Sequence, residues 1–441
     1  MPQLLFVLPS EVWNHVFGYL SAADKFNARA SCKYFRQLVD HASLWKDWCV
    51  VLRFPQSGSY NSHFWLTLRR RNVSSAVVRS IRAKDWKQLA HSLPTLRTLV
   101  MEQSCQRSLE YLKHFVHLKR LAFRSGCSSL TLDASTVSEP QQLTHLSLCE
   151  VTFPTAAIGG VISALSHFTN LTSLVCHHTG VFEETSLMVR SILHCLPKLK
   201  HLSLSVVHKL CTYHSVLGPN PDRSHEPAKA PSLSSLELID CMDHSLSEDV
   251  MKLMPGLKSL TVFYRHSNQQ DWQPSPVCHL KTWLSDLPQL STLVIVKGPP
   301  VKQYVASIPS TVTSLTLCVA GFSSKDLVDT AEQVPGLLHF HVDPWPSYLG
   351  AHTAQILQLF PKLRRLKLRH EHVPESMFLD LHRLQDLEYM EILDNRPHLS
   401  ELTRKLQALT NYRLQVTTSP HRRDVLSCSC VGQGRFYQTH Q

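Results

Sequence analysis

Cysteine and histidine side chains are the residues of this chain best suited to metal or nucleophilic chemistry. Cys176, His177 and His178 are consecutive, and Cys428 and Cys430 lie near the C-terminus. A structural zinc site normally needs four such ligands in compact pairs, and neither group supplies them. Cys176 also occupies a leucine position of a pattern that recurs along the chain. The sequence therefore predicts no metal site.

The sequence signatures of common catalytic and cofactor sites are missing. We find no P-loop, no nucleophile elbow, no paired-histidine zinc helix and no glycine fingerprint for a dinucleotide. Gly432 and Gly434 form an isolated pair without a preceding strand. We expect a non-enzymatic protein without a cofactor, which acts by binding other proteins.

Positive charge is the next candidate for chemistry, since the formal net charge is +11. Basic side chains cluster at 69–71 and again at 364–369. Such clusters either bind acidic ligands or form an ordinary solvated surface. No ladder of aromatic residues is interleaved with them to stack bases, so nucleic-acid binding is the less favoured interpretation.

Composition favours a folded protein outside the secretory pathway. The chain has 441 residues, of which 43% are hydrophobic and 18% charged, enough to bury a large core. The apolar run 4–8 lacks the basic flank of a signal peptide, and Pro154 and Gly159 interrupt the longest uncharged stretch, 151–182. Thirteen cysteines without paired spacing suit reduced thiols. We expect a cytoplasmic or nuclear protein that does not bind membranes.

The first fifty residues predict three short helices. Pro9 and Ser10 begin a pattern in which Val12, Val16 and Leu20 fall on one helical face, and two further apolar patterns follow. Some 45 residues are few for a self-sufficient core. Part of this apolar surface is therefore expected to contact another chain.

This segment resembles the F-box motif. The matching elements are Leu8-Pro9-x-Glu11-Val12, Val16-Phe17-x-Tyr19-Leu20, Asp24, Cys32-Lys33-x-Phe35-Arg36-x-Leu38 and Leu44-Trp45. Their order and spacing agree over about forty residues, which exceeds a chance match to one short pattern. The chain departs from the family at Ser21, where proline is frequent, at Ala30 and Ser31, where the pair is usually bulkier, and at Phe35, where tryptophan is usual.

The resemblance implies a modular ubiquitin ligase of the SCF (Skp-cullin-F-box) type. In that family the F-box binds a Skp-type adaptor, the adaptor joins a cullin scaffold, and a RING-finger subunit recruits the ubiquitin-conjugating enzyme. The chain would be the substrate receptor, whose target is ubiquitinated for proteasomal degradation. The residues predicted to bind the adaptor are Leu8, Pro9, Val12, Val16, Leu20 and Leu38.

From Leu93 onward, a unit of the form Leu-x-x-Leu-x-Leu recurs at intervals of about 26 residues, typical of leucine-rich repeats. Prolines such as Pro197 and Pro255 precede several units and end the preceding helix. The interpretation is an α/β fold: a short helical F-box followed by a curved leucine-rich-repeat solenoid, with a parallel inner sheet and outer helices. We expect one cooperative array, because each repeat covers its neighbour's leucines.

The predicted boundaries follow from these patterns. They are an F-box at 1–50, a linker at 51–75, a solenoid of about 12–13 irregular repeats at 76–418 and a polar tail at 419–441. Exposed loops are predicted at 213–231 and 266–276, which are rich in polar residues and proline.

Alternate strand residues point away from the leucine core, which defines a candidate binding face. Near the C-terminal end of the repeats this face becomes basic and aromatic. The residues predicted to bind the substrate are His339, His341, Arg365, Lys367, Arg369 and Tyr389. This set suits an acidic or phosphorylated protein segment, and a solvated charged face is the equal alternative.

Three functions fit the sequence. The first is the ubiquitin-ligase receptor, the second a leucine-rich-repeat scaffold that works without a cullin, and the third a basic RNA-associated protein. Co-purification with adaptor and cullin separates the first two, and salt-dependent capture of RNA would support the third.

Overall fold

The computed structural model describes residues 8–46, 48–54, 60–79, 81, 83–102, 109–127, 137–151, 158–177, 185–206, 232–241, 246–264, 278–344, 349–370, 373–394 and 399–420. The two predicted loops and nearly all of the predicted tail lie outside the described residues. The described residues fall into two compact units, one within Met1–Val181 and one within Phe182–Val425. No helix in these ranges is both long and apolar enough to cross a membrane.

The first unit begins with three helices: α1 (Ser10–Gly18), α2 (Ala22–Ser31) and α3 (Lys33–Val39), followed by a 3-10 turn at Ala42–Trp45. Local hydrogen bonds set their boundaries, since the Ser21 hydroxyl accepts from the Asp24 amide and Cys32 Sγ accepts from the Phe35 amide. Phe17, Val39 and Trp45 form a small buried core. The first predicted helical pattern is α1, the second is divided at the extended Cys32 into α2 and α3, and the third is a 3-10 turn.

Six parallel strands follow in the first unit, each paired with the next along the chain. The strands are β1 (Cys49–Arg53), β2 (Ser75–Arg79), β3 (Thr98–Glu102), β4 (Arg120–Cys127), β5 (His145–Val151) and β6 (Ser173–His177). The helices between them are α4 (Ser62–Arg70), α5 (Ala83–Ser92) and α6 (Ile158–Leu165), with 3-10 turns at Glu110–His114 and Pro140–Gln142.

The second unit repeats the same parallel order over nine strands. They are β7 (His201–Ser205), β8 (Ser235–Cys241), β9 (Ser259–Tyr264), β10 (Thr292–Gly298), β11 (Ser314–Val319), β12 (His339–Val342), β13 (Arg365–Arg369), β14 (Tyr389–Leu393) and β15 (Gln415–Ser419). The helices are α7 (Thr185–Cys195), α8 (His279–Ser285), α9 (Ser324–Gln333), α10 (Ile356–Leu359), α11 (Glu375–Asp380) and α12 (Leu399–Leu409). Turns of 3-10 helix lie at Glu248–Leu253, Val301–Gln303, Val305–Ser307, Gly350–Gln355 and Leu381–Arg383.

The predicted repeat leucines form the cores of both units. The first strand leucine of successive repeats is in register with its neighbours, as Leu293 is with Leu260 and Leu315. The side chains at this position from β3 to β14, which are leucine in all but two repeats, are at most 2% exposed: Leu99, Leu121, Leu146, Leu174, Leu202, Leu236, Leu260, Leu293, Leu315, Phe340, Leu366 and Met390. The leucine-rich-repeat fold class is thereby confirmed, with an open parallel sheet and helices.

The sheet of the first unit begins earlier than the sequence predicts. The predicted linker at 51–75 contains most of β1, which pairs in parallel with β2, and all of α4. Trp65 and Leu68 of α4 are buried. The leucine pattern does not detect β1 and α4. The buried positions of β1 are filled by Val50 and Leu52, and no leucine stands three residues before Val50 as it does in most other repeats.

Candidate functional site

Helix α1 exposes a row of apolar side chains. Pro9 precedes the helix, and its carbonyl accepts hydrogen bonds from the amides of Val12 and Trp13 at 3.1 and 3.2 Å. Val12 and Val16 are four residues apart and therefore share one face of the helix. Leu8 lies just before the Pro9 cap, and Leu8, Val12 and Val16 are 44%, 41% and 41% exposed, which is unusual for three large aliphatic residues so close along the chain.

An adjacent face of α1 packs inward on aromatic rings. The ring of Trp13 lies 5.6 Å from that of Phe17 and 4.7 Å from that of Phe35. Phe35, which replaces the usual tryptophan of the family, thus still fills the helical core. The row of exposed side chains is consequently not needed to close this core.

The six predicted adaptor-binding residues divide into two groups. Leu8, Pro9, Val12 and Val16 are exposed, whereas Leu20 and Leu38 are half-buried and pack against the core of Phe17, Val39 and Trp45. Two exposed aromatic residues were not among the predicted six. Tyr19 is 78% exposed and continues the α1 row at a helical spacing from Val16, and Phe26 of α2 is 43% exposed.

A buried ion pair fixes the helical segment to the repeats of the same unit. Arg71, just after α4, donates two hydrogen bonds to Asp40 Oδ1 at 2.9 and 2.7 Å, and both side chains are at most 3% exposed. Arg29 of α2 adds bonds to the same carboxylate at 3.0 and 3.2 Å. The Arg71 guanidinium also stacks 3.9 Å from the Trp45 ring.

Electrostatics keep the shared carboxylate ionised. Burial by itself raises the pKa of Asp40, but the hydrogen bonds and charges of Arg29 and Arg71 outweigh it and hold the pKa below the ordinary aspartate value. From its sequence, the basic cluster 69–71 is a candidate for binding acidic ligands. In the structure the third residue of that cluster, Arg71, binds an acidic residue of the chain itself.

The six predicted substrate-binding residues come together on three neighbouring strands. His339 and His341 of β12 are in register with Arg365 and Lys367 of β13, and Arg365 is in register with Tyr389 of β14. Five of the six, all except Arg369, line a shallow cleft of about 500 Å³. The Arg365 guanidinium lies 5.4 Å from the centre of the Tyr389 ring.

Acidic neighbours offset much of the positive charge of this cleft. Lys367 Nζ lies 3.0 Å from a carboxylate oxygen of Glu391, and Arg369 forms an ion pair with Asp343. The sequence predicted a basic clamp, and the structure instead has two internal ion pairs and the exposed, ring-stacked Arg365. Alternation along the strands places Asp343 and Glu391 on the same face as the basic residues, but it does not say which residues pair.

His339 contributes less positive charge than the sequence suggests. Partial burial lowers the pKa of His339 below the ordinary histidine value, and the charges of Arg365 and Arg364 lower it further. His339 is therefore less than half protonated at the pH where an ordinary histidine is half protonated. Recognition at neutral pH would depend on Arg365 and on hydrogen bonding.

Several outward strand positions of the first unit are closed to solvent, although Val51 of β1 is 45% exposed. Val77, Val100 and Ala122 form a cluster with at most 1% exposure, and Cys49 packs against it. By alternation along β6, His177 also occupies an outward position, and it is buried as well. By contrast, the outward residues His341, Lys367 and Glu391 of the second unit are partly exposed.

Of the cysteine and histidine clusters noted in the sequence, only the one at Cys176 and His177 lies within the described residues. Cys176 is in register with Leu148 of β5 and is 2% exposed, so it fills a core position, and burial raises the pKa of its thiol to about 12. Cys428, Cys430, Gly432 and Gly434 lie outside the described residues, as does His178.

Comparison with known proteins identifies one segment of the chain. The F-box-like family model matches residues 5–50, the region of α1 to α3. No curated protein sequence matches the chain. The leucine-rich repeats are therefore assigned from the leucine spacing and parallel strands of the chain itself.

Two solved structures illustrate how distant the structural relatives are. A leucine-rich-repeat-containing protein, LegL7 from Legionella pneumophila, is 16% identical, with 68% of this chain and 91% of that chain covered and a TM-score of 0.40. The TLR13 chain of a TLR13–ssRNA13 complex is 16% identical, with 80% of this chain covered and a TM-score of 0.41. This chain spans only 56% of that TLR13 chain.

Proposed function

We propose that this chain, in which an F-box-like segment precedes leucine-rich repeats, is the substrate-recognition subunit of an SCF-type ubiquitin ligase. The F-box-like segment would dock a Skp-type adaptor, and through it a cullin scaffold and a RING-finger subunit. The repeats would hold the protein to be ubiquitinated. In this proposal the chain supplies specificity in the cytoplasm or nucleus, and its partners supply the catalysis.

The exposed row of Leu8, Val12 and Val16 is the observation that carries the proposal. Burying the exposed fraction of three such side chains in an interface contributes about 2–4 kcal/mol. Exposed aromatic residues next to the row, Tyr19 and Phe26, add the residue types that often dominate interface energies. An adaptor with a complementary apolar groove would therefore bind this surface.

The second half of the proposal assigns target binding to the face of β12 to β14. The outward cluster of Val77, Val100 and Ala122 in the first unit is buried, whereas Arg365, Tyr389 and His339 line an open cleft. An acidic or phosphorylated segment could bind Arg365 through charge-assisted hydrogen bonds. Holding a target in this way raises the local concentration of its lysines near the ubiquitin-conjugating enzyme.

The proposal is tested by replacing two residues of the row with charged ones. We expect the double variant Val12→Glu/Val16→Glu to weaken adaptor binding by on the order of 100-fold or more, since carboxylates would be buried without partners. The full chain is co-expressed with adaptor and cullin, and the captured amounts of both are measured. The melting temperature should change little because both side chains are already exposed.

Leu187→Glu provides the matched control, since Leu187 of α7 is 45% exposed but lies in the second unit. This variant should capture adaptor and cullin like the parent. Equal capture by the parent and the double variant would refute docking through α1. Capture of adaptor without cullin by the parent would instead favour a scaffold that works outside the ligase.

A further inference from the structure

Three side chains of the types that bind metals lie close together at the end of strands β11 and β12. They are Cys318, His341 and Asp343, and one donor atom from each lies within 4.8 Å of the other two. Cys318 Sγ and His341 Nε2 are 4.0 Å apart. The cluster was not visible in the sequence because Cys318 is separated from His341 by a whole repeat.

The strand register explains why the three side chains converge. Thr316 and Leu317 of β11 are in register with His341 and Val342 of β12, and the amide of Asp343 donates to the Leu317 carbonyl at 3.0 Å. Cys318 therefore stands beside Asp343. Residues two apart on a strand share a face, so His341 and Asp343 both point to the side of the sheet opposite the buried Val342.

We propose that Cys318, His341 and Asp343 bind a divalent transition-metal ion, with Zn²⁺ as the best match. Thiolate, imidazole and carboxylate are the three ligand types that zinc uses in proteins. Bond lengths of about 2.3 Å for Zn–S and 2.0 Å for Zn–N place the two donors about 3.5 Å apart in a tetrahedron. The observed 4.0 Å would need to close by only about half an ångström.

Charge balance also suits a divalent cation. A thiolate and a carboxylate together neutralise the two positive charges of Zn²⁺. Three protein ligands leave the fourth tetrahedral position for water or for a donor atom of a bound protein. This inference concerns the cluster alone and does not depend on the proposed function of the chain.

Arg369 would orient the carboxylate ligand. Its guanidinium pairs with Asp343, and metal-bound carboxylates are commonly held by such outer hydrogen bonds. The positive charges of Arg369 and Lys367 oppose the bound cation. Burial, and to a lesser extent the Asp343 charge, raise the pKa of the Cys318 thiol to about 12, so the metal must displace its proton. Both effects predict weaker binding than at a four-ligand structural site.

Cobalt reports the ligand set directly. Co²⁺ in a tetrahedral site with a thiolate gives intense visible bands and a thiolate-to-metal charge-transfer band in the near ultraviolet. We expect both bands when Co²⁺ is added to the reduced full chain, and their loss when Zn²⁺ is added. Equilibrium dialysis against Zn²⁺ in the presence of a competing chelator then gives the affinity and stoichiometry.

Two variants remove different ligands. Cys318→Ser should abolish the charge-transfer band and lower Zn²⁺ affinity by at least about 100-fold, more than loss of an outer-shell partner. His341→Asn retains the thiol and should lower the Zn²⁺ affinity by a similar factor. If one of the two variants misfolds, the other still tests the site. Cys195→Ser, which removes a partly exposed thiol of α7, should bind metal like the parent.

The proposal is overturned if the parent shows no charge-transfer band. It is equally overturned if Cys318→Ser and His341→Asn, folded as judged by circular dichroism, bind Zn²⁺ with the affinity and stoichiometry of the parent. In that case the bound metal would belong to other histidines or cysteines of the chain.

Discussion

Helix α1 and strands β12 to β14 each expose a candidate binding surface, and the two differ in composition. Leu8, Val12 and Val16 on α1 are apolar side chains that the structure leaves in solvent. On the strands, Lys367 and Arg369 are charged side chains already paired with acidic neighbours of the same chain. The first surface gains free energy from burial alone, whereas a ligand of the second must match or displace existing ion pairs.

This difference separates affinity from specificity. Apolar burial is non-directional and stabilises any complex that covers the row. Charges held in fixed pairs favour ligands with complementary charge and penalise others, and they contribute less net affinity. A constant adaptor on the apolar surface and a selected target on the charged surface would each use the suitable kind of contact.

The largest effect is expected at the ion pair that anchors the helical segment. Arg71→Met should lower the free energy of unfolding of the first unit by about 3 kcal/mol, because the buried Asp40 loses its main partner and keeps only Arg29. Chemical denaturation followed by tryptophan fluorescence measures the loss, and faster hydrogen exchange in α2 and α3 would locate it.

Arg190→Met is the matched control in the second unit. Arg190 and Asp249 form a short ion pair, but their side chains are 44% and 53% exposed. Exposed pairs contribute at most about 1 kcal/mol, so this variant should be close to the parent. Equal losses in both variants would contradict a rigid anchor for the helical segment.

The sequence predicted the fold well where burial follows a period. Leucine spacing located the strands from β3 onward, because each repeat needs the same buried positions. It missed β1 and α4, where valine and tryptophan fill the core. It also missed the Arg71–Asp40 pair, which joins residues 31 positions apart and depends on tertiary packing.

Candidate sites were predictable only to the level of surface positions. The sequence placed Arg365, Lys367 and Arg369 on one face, as observed, because alternation along a strand is local. It could not assign their partners, since Asp343 and Glu391 reach them from neighbouring strands. A charge reversal that tests this face is therefore best made at Arg365 alone, because a glutamate at 369 would face Asp343.

A second, smaller effect tests charge selection on the strand face. Arg365→Glu should weaken binding of acidic and phosphorylated peptides, presented on an array, by about 10-fold, because it reverses the exposed charge in the cleft. Lys362→Glu makes the same charge change at an exposed residue just before β13 that does not line the cleft. Its effect should stay within about 2-fold, through long-range charge alone. Similar binding by the two variants would show that the face is only solvated.

The smallest effect concerns the pair within that face. A double-mutant cycle with Lys367→Met and Glu391→Gln should give a coupling of about 0.2–1 kcal/mol in the free energy of unfolding, because both side chains are partly exposed. The coupling should fall further as salt screens the two charges. Glu391 also accepts a hydrogen bond from the Ser419 hydroxyl at 2.5 Å, so the loss of Lys367 leaves the carboxylate with a partner. Because the pair is weak, Lys367 can leave Glu391 and bind an incoming acidic ligand at little cost in free energy. A coupling near 3 kcal/mol, comparable with the loss expected for Arg71→Met, would mean that the strand face is as rigidly paired as the anchor and unsuited to such exchange.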